Sequence, residues 1–274
     1  MEMISAVKMR RAVAGVLATR NYAAYAWQML IDVAKKTNIN AHPLLGKRPV
    51  KKIALTLIAS NRGLAGGFNS RILTEADNFI KKAKVGGVEV DVIVNGKRAK
   101  KIYRQFGHNV SAEFEKMDIT MKIEEVASLA NMLIQEYSQK KYDQIYVVYT
   151  DYISAIKQTP KIKRLLPIGS VEDAIIGGIG ESDKTDEVAE VEFVFEPEPK
   201  QVLDSLLPRL IEMQVYQAVL ESDASEHSAR MMAMRNASDA AEDMIKELNY
   251  NYNKVRQSAI TQEISEIVSG AAAL

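Results

Sequence analysis

The sequence predicts an α/β protein: a long antiparallel coiled coil of its N- and C-terminal helices, with a small α/β domain between them. Three observations carry this reading. From about Ser205 to Ser269 the chain has no proline or glycine apart from Pro208, and a heptad seam runs through it. Met1 to about Asn38 is a second long helical pattern at the opposite end of the chain. Between them, short apolar runs alternate with helical stretches, the signature of a largely parallel sheet.

The C-terminal seam is formed by Leu206, Leu210, Met213, Leu220, Ala224, Met231 and Met234. After a local slip it resumes as Ala237, Ala241, Met244, Leu248, Tyr252, Val255 and Ala259. Alternating steps of three and four keep these side chains on one helix face. At about 1.5 Å per residue the helix would be roughly 95 Å long, a shaft that needs a partner helix. The N-terminal helix supplies one, with Met3, Val7, Ala14, Leu17, Ala24, Met29, Leu30 and Val33 on its apolar side. Gly15 is its weak point, at about 1 kcal/mol against alanine. This helix opens at full periodicity without an N-cap signal, so the reading expects its start to lie ahead of Met1.

Pro43, Gly46 and Pro49 mark a loop after the first helix. Lys52 to Ala59 is a nearly continuous apolar strand, as expected of one buried on both faces. The turn Ser60-Asn61-Arg62-Gly63-Leu64-Ala65-Gly66-Gly67-Phe68-Asn69 leads into a helix to about Lys84. A strand over Val88–Val94, a basic helix around Lys97–Phe106, a helix from about Met121 to Lys140 and a strand over Asp143–Thr150 follow. Tyr152 to Ile168 reads as extended chain at the sheet margin. Gly177, Gly178, Gly180 and the stretch Glu181–Glu190 read as an acidic loop, and Val191–Phe195 as a last strand. The resulting division is a helix over 1–40, a Rossmann-like α/β domain over 50–198 and a helix over 200–274.

Composition narrows the function. Hydrophobic residues make up 47 % and charged residues 26 % of the chain, ordinary values for a folded globular protein. A net charge of +1 advertises no affinity for nucleic acid. With no cysteine there are no disulfides or thiolate metal sites, and the chain suits a reducing compartment. No apolar run approaches the ~20 residues of a membrane-spanning helix, and no signal peptide is visible, so a cytoplasmic chain without a direct membrane span is expected.

The candidate chemistry is thin. The glycine turn sits where a dinucleotide loop would sit, but its G-x-x-G-G spacing matches neither phosphate-binding pattern. The second strand ends Val94-Asn95-Gly96, without the acidic residue that would hold a ribose. A structural turn is the better reading. His42, His108 and His227 are scattered singly, unlike a metal site or a catalytic dyad. Lys97, Arg98, Lys100, Lys101 and Arg104 read as a solvated helix face before a phosphate site. Met231, Met232 and Met234 read as adaptable packing. No catalytic residue, metal ligand or cofactor site is expected on this chain.

The closing segment Ile260-Thr261-Gln262-Glu263 through Glu266-Ile267-Val268 to Gly270-Ala271-Ala272 resembles the C-terminal signature of the gamma subunits of F-type ATP synthases, in their bacterial form. Arg230-Met231-Met232-Ala233-Met234, Asn236-Ala237 and Tyr252-Asn253-Lys254-Val255-Arg256-Gln257 are similar to that family too. So are Met1-Glu2-Met3, Lys8-Met9-Arg10 and the turn Ser60–Asn69, so the resemblance spans essentially the whole chain. Asn61 and Ala65 depart from it, standing where relatives often carry Asp and Cys, and the chloroplast-type insert with paired cysteines is not present. The family normally has a further segment ahead of the position of Met1, on the order of six helical turns.

The resemblance implies a non-catalytic central-stalk rotor. It would turn inside three alpha and three beta subunits, one gamma per complex, with ATP, ADP and Mg bound by those partners. Its foot would meet the epsilon subunit and the membrane c-ring driven by ion (proton) flow. The protein would then be peripheral, on the cytoplasmic side of the inner or plasma membrane. Met1, Lys8, Arg230, Arg256, Gln257, Thr261 and Glu263 would engage the alpha/beta sleeve, and Gly270, Ala271, Ala272, Ala273 and Leu274 would sit in an upper bearing. Two other classes predict different behaviour. An enzyme would bind nucleotide at the glycine turn and lose it when Gly66 or Gly67 is replaced. A static scaffold would form a stable homodimer.

Overall fold

A computed structural model describes residues 1–36, 42–46, 48–99, 103, 110–119, 122–168 and 199–272, with the backbone alone for 20–36 and 199–200. Helix α1 spans Glu2–Lys36. It is followed by β1 (Lys52–Ile58), α2 (Phe68–Val85), β2 (Glu89–Asn95) and β3 (Val110–Phe114). Then come α3 (Glu124–Ser138), β4 (Gln144–Tyr152), β5 (Gln158–Leu166) and α4 (Pro199–Ala272). The basic helix expected over Lys97–Phe106 is described only at Lys97–Ala99 and Tyr103, which are helical, and the Val191–Phe195 strand, the preceding acidic loop and His108 lie outside the described residues.

The five strands lie in the order β3-β2-β1-β4-β5. β1 pairs in parallel with β2 and β4, β2 pairs in parallel with β3, and β5 closes the far edge antiparallel to β4. β1 is central and buried from Ile53 onward, as its unbroken apolar run requires. Its side chains alternate between two cores. Leu55, Leu57 and Ala59 face α2, against Ile72, Ala76 and Ile80. Ala54 and Ile58 face the other side, against Leu129 and Leu133 of α3 and Leu207, Ile211 and Val219 of α4. Strand β3 escaped the sequence reading because Val110–Phe114 is a short, half-buried edge whose pattern carries little apolar signal.

The two chain-terminal helices pack antiparallel, as expected. Gly15 lies against Leu220, Ala12 against Ala224, and the first turn of α1 beside His227 and Arg230. The absence of a Cβ at Gly15 lets the helices approach closely there, since an added one would come within 3.3 Å of Leu220. α4 has two halves. Every residue from Met213 to Arg230 is buried, whereas every residue from Arg235 to Ala272 is exposed. The exposed half is a single helix roughly 55 Å long at about 1.5 Å per residue. Within this chain no other described element accompanies it.

Candidate functional site

In an open parallel sheet, ligands bind beyond the carboxyl ends of the strands, where the strand order reverses. Here that place lies beyond β1 and β4, and the chain's own shaft fills it. β1 stops pairing with β4 at Val148, and α4 supplies the hydrogen-bond partners from there on. The Thr150 amide donates to Ser222 Oγ at 3.2 Å, and the Tyr152 amide donates to Glu221 Oε2 at 3.0 Å. Ser225 Oγ donates to the Thr150 carbonyl at 3.1 Å, and Ser228 Oγ to the Ala155 carbonyl at 2.7 Å. Buried backbone groups need partners, and this run of small hydroxyl side chains meets that need while letting the helix sit close.

The glycine turn after β1 clasps the same helix. Leu64 and Gly66 adopt positive φ values of 61° and 52°, which bend the chain around α4. Ala65 and Phe68 pack on Ala229. A side chain on Gly66 would also meet the Ala229 carbonyl and Ala233. On the turn, Arg230 Nη2 donates to the carbonyls of Arg62 and Gly63 at 3.4 Å each. The turn is therefore a collar around the shaft, the structural role its spacing suggests. Among the described residues, no group of three or more His, Asp or Glu side chains is placed to hold a metal.

Below the collar lies a cluster that sequence reasoning missed. Lys116, just past β3, inserts its ammonium between Asp223 Oδ1 at 2.6 Å and Glu226 Oε2 at 2.7 Å. Glu226 Oε1 accepts from Arg230 Nη2 at 2.9 Å. Two cations and two carboxylates thus balance, all nearly or fully buried. Burial opposes charge on both Lys116 and Glu226, but Asp223 and Glu226 hold the lysine pKa above its ordinary range, and Lys116 and Arg230 hold the glutamate pKa below its own. A usable signal was present in the sequence: Glu221, Asp223, Glu226 and Arg230 interrupt the apolar run of a helix segment too long to be one-sided.

His227 bridges the same region. Its Nε2 lies 2.9 Å from the Asp118 carbonyl, and its Nδ1 lies 3.3 Å from Arg230 Nη1. Arginine can only donate, so Nδ1 accepts and the proton sits on Nε2. Burial, the largest influence, lowers the pKa of His227, against the opposing pull of Glu226 and Asp223 and with Lys116 assisting. A histidine with a lowered folded pKa stabilises fully above its unfolded value, near 6.5, and loses that contribution as pH falls through this value toward the folded one. The thermal midpoint should therefore fall between pH 7.5 and 5.5, and His227→Gln should flatten that slope; equal slopes would show that another group sets it.

The seven proposed sleeve positions fall into two groups. Met1, Lys8 and Arg230 line one notch beside Asp118, whose carboxylate binds Lys8 Nζ at 3.0 Å. That contact is the main reason the Asp118 pKa is lowered. Arg256, Gln257, Thr261 and Glu263 stand on the exposed arm, where Thr261 Oγ1 donates back to the Gln257 carbonyl at 2.9 Å. Gly270, Ala271 and Ala272 form the exposed end of the arm, and Ala273 and Leu274 lie outside the described residues.

The α/β body thus holds its own helix in the crevice where sheets of this kind bind ligands, and the exposed half of that helix runs on without a companion among the described elements. The family model described as ATP synthase matches residues 1–274. The ATP synthase gamma chain of Chloroflexus aurantiacus is 40 % identical over 277 residues, covering 100 % of this chain and 91 % of that one. The gamma chain of Legionella pneumophila is 36 % identical over 274 residues, covering 100 % and 92 %. Among solved structures, a chain of the Tetrahymena thermophila mitochondrial ATP synthase central stalk and c-ring matches with a TM-score of 0.62 at 25 % identity, covering 87 % of this chain and 97 % of that one. The chain belongs to the ATP synthase gamma chain family, the non-catalytic central-stalk subunits of that enzyme. Among its described residues, no helix is long and apolar enough to cross a membrane.

Proposed function

We propose that this chain is the turning shaft of a bacterial F1 sector, one copy standing inside three alpha and three beta subunits. Its α/β body would join the epsilon subunit and the c-ring at the cytoplasmic face of the membrane. Ion flow through the membrane sector would turn the c-ring, and the arm would carry that rotation to the catalytic beta subunits, or run it in reverse. ATP and Mg would bind on the partners. The observation that carries this reading is the arm itself. Leu248, Tyr252, Val255, Ile264 and Ile267 are 55–71 % exposed on a helix that no other described element covers. Apolar surface of that extent marks an interaction face, and a curved asymmetric shaft would touch three identical subunits differently, biasing each toward a different nucleotide-binding state.

Arg256, Gln257, Thr261 and Glu263 would be the polar hooks on the sleeve, with Met1, Lys8 and Arg230 meeting its lower rim through their shared notch. Gly270 to Leu274 would turn in the upper bearing, where small side chains interlock little. The test is assembly with alpha and beta subunits, followed by ATPase assay with and without this chain. Incorporation at one copy per three beta subunits, with activity depending on it, is expected; a complex indifferent to the chain would reduce it to a scaffold. A hydrogen bond to a charged group contributes about 1.5–3 kcal/mol, so Arg256→Ala and Glu263→Ala should each lower coupled turnover by about 10- to 100-fold while nucleotide binding stays unchanged. Unaltered synthesis and hydrolysis would remove those residues from the contact.

A further inference from the structure

The Lys116 cluster lies where the shaft leaves the body, which is also where any torque on the arm must enter it. Packing at that level is shallow. Ala224, Ser225, Ser228 and Ala229 allow close approach, and the large side chains buried at that level, Glu226, His227 and Arg230, are polar or charged. What is specific there is charge. Asp223 and Glu226 are three residues apart on one helix face, and a rotation by a single residue, about 100°, would carry both away from Lys116. Slippage would leave buried charges unpaired, which is far less favourable than displacing a methyl group.

The segment that carries Lys116 is itself anchored on every side. Its carbonyl accepts from Asn61 Nδ2 of the collar at 2.5 Å. Two residues on, the Asp118 carbonyl faces His227 of α4, and the Asp118 carboxylate binds Lys8 of α1 and Arg62 of the collar. Strand β3, the collar, α1 and α4 are thus tied together within a few residues of Lys116.

We propose that Lys116, held between Asp223 and Glu226, is a positioning residue that locks the rotational register of α4 on the α/β body, so that torque passes between arm and body without slip. This rests on the shaft reading above. Replacing a buried ion pair by apolar side chains is often neutral for stability, whereas removing one partner is not. That difference separates a lock from a mere prop. The double variant Lys116→Met/Asp223→Leu leaves the Glu226–Arg230 pair intact, and Asp223→Asn keeps the original shape with one charge fewer.

Each variant is assembled into the complete membrane complex as the full chain. Three readouts are taken: thermal midpoint, ATPase without an ion gradient, and ions pumped per ATP against a rising gradient. The double variant should keep its thermal midpoint and unloaded ATPase but lose at least threefold in pumping ratio under load, and Asp223→Asn should lose less. Unaltered pumping ratios in both variants would overturn the lock. So would losses that merely follow a fall in thermal midpoint, because that pattern belongs to a structural role. Should the double variant fail to assemble, Asp223→Asn decides by the same two criteria. If the unaltered chain confers no ATPase dependence at all, the shaft reading fails, and the lock with it.

Discussion

Gly96→Ala is expected to lower the thermal midpoint by about 10 °C and to leave little assembled protein, since roughly 2–4 °C is lost per kcal/mol in a chain of this size class. Gly96 follows β2 directly at φ +119°, a region that L side chains rarely enter. A Cβ there would also collide with the Ala59 carbonyl oxygen at the end of the central strand. Neither group is free to retreat. The Gly96 amide donates to the Phe114 carbonyl at 3.2 Å, and the Ala59 amide donates to the Asn95 carbonyl at 2.8 Å. Backbone strain of about 1–3 kcal/mol and overpacking of a similar size then combine to about 3–5 kcal/mol. Gly87→Ala is the control, with φ +71° but no neighbour within 4 Å of its added Cβ. It should show the strain alone, and equal losses in the two variants would refute the steric part.

Glu226→Ala is expected to cost about 3–5 kcal/mol, because removing one member of a buried ion cluster leaves the others uncompensated. Lys116 would keep Asp223, but Arg230 would lose its only carboxylate within salt-bridge reach among the described residues. Acid titration should show the same cluster independently. Burial alone would raise the Glu226 pKa; Lys116 and Arg230 overcome it and hold the folded value below the ordinary one. Its stabilisation is therefore complete above about pH 4.5 and is lost as pH falls through the lowered folded value. Lys116 has the opposite sign. Its contribution is complete below about pH 10.5 and disappears only as pH rises through its raised folded value. Chemical denaturation of wild type and Glu226→Ala across pH 3–7 checks this, with the difference between them expected to shrink toward the acid end. A constant difference would mean that the carboxylate is not ionised in the fold.

The sequence by itself determined the two long helices and the central strand. Local periodicity is enough for such elements: a seam in steps of three and four makes a helix, and the run Ile53–Ile58 has no polar face to show to water. The C-terminal signature was legible for a different reason, since Ile260 to Ala272 is one contiguous run that can be read without knowing which distant segments meet. Tertiary structure alone decided where the shaft is core and where it is bare. The same seam runs through Leu220, which is 1 % exposed, and Leu248, which is 60 % exposed, so the pattern itself does not tell them apart. It also decided that the turn after β1 grips a helix, that Met1, Lys8 and Arg230 share one notch, and that Lys116 finds Glu226, 110 residues away along the chain. Those facts depend on which distant segments meet. A carboxylate on an amphipathic helix reads as solvated until the body that folds over it supplies the buried lysine.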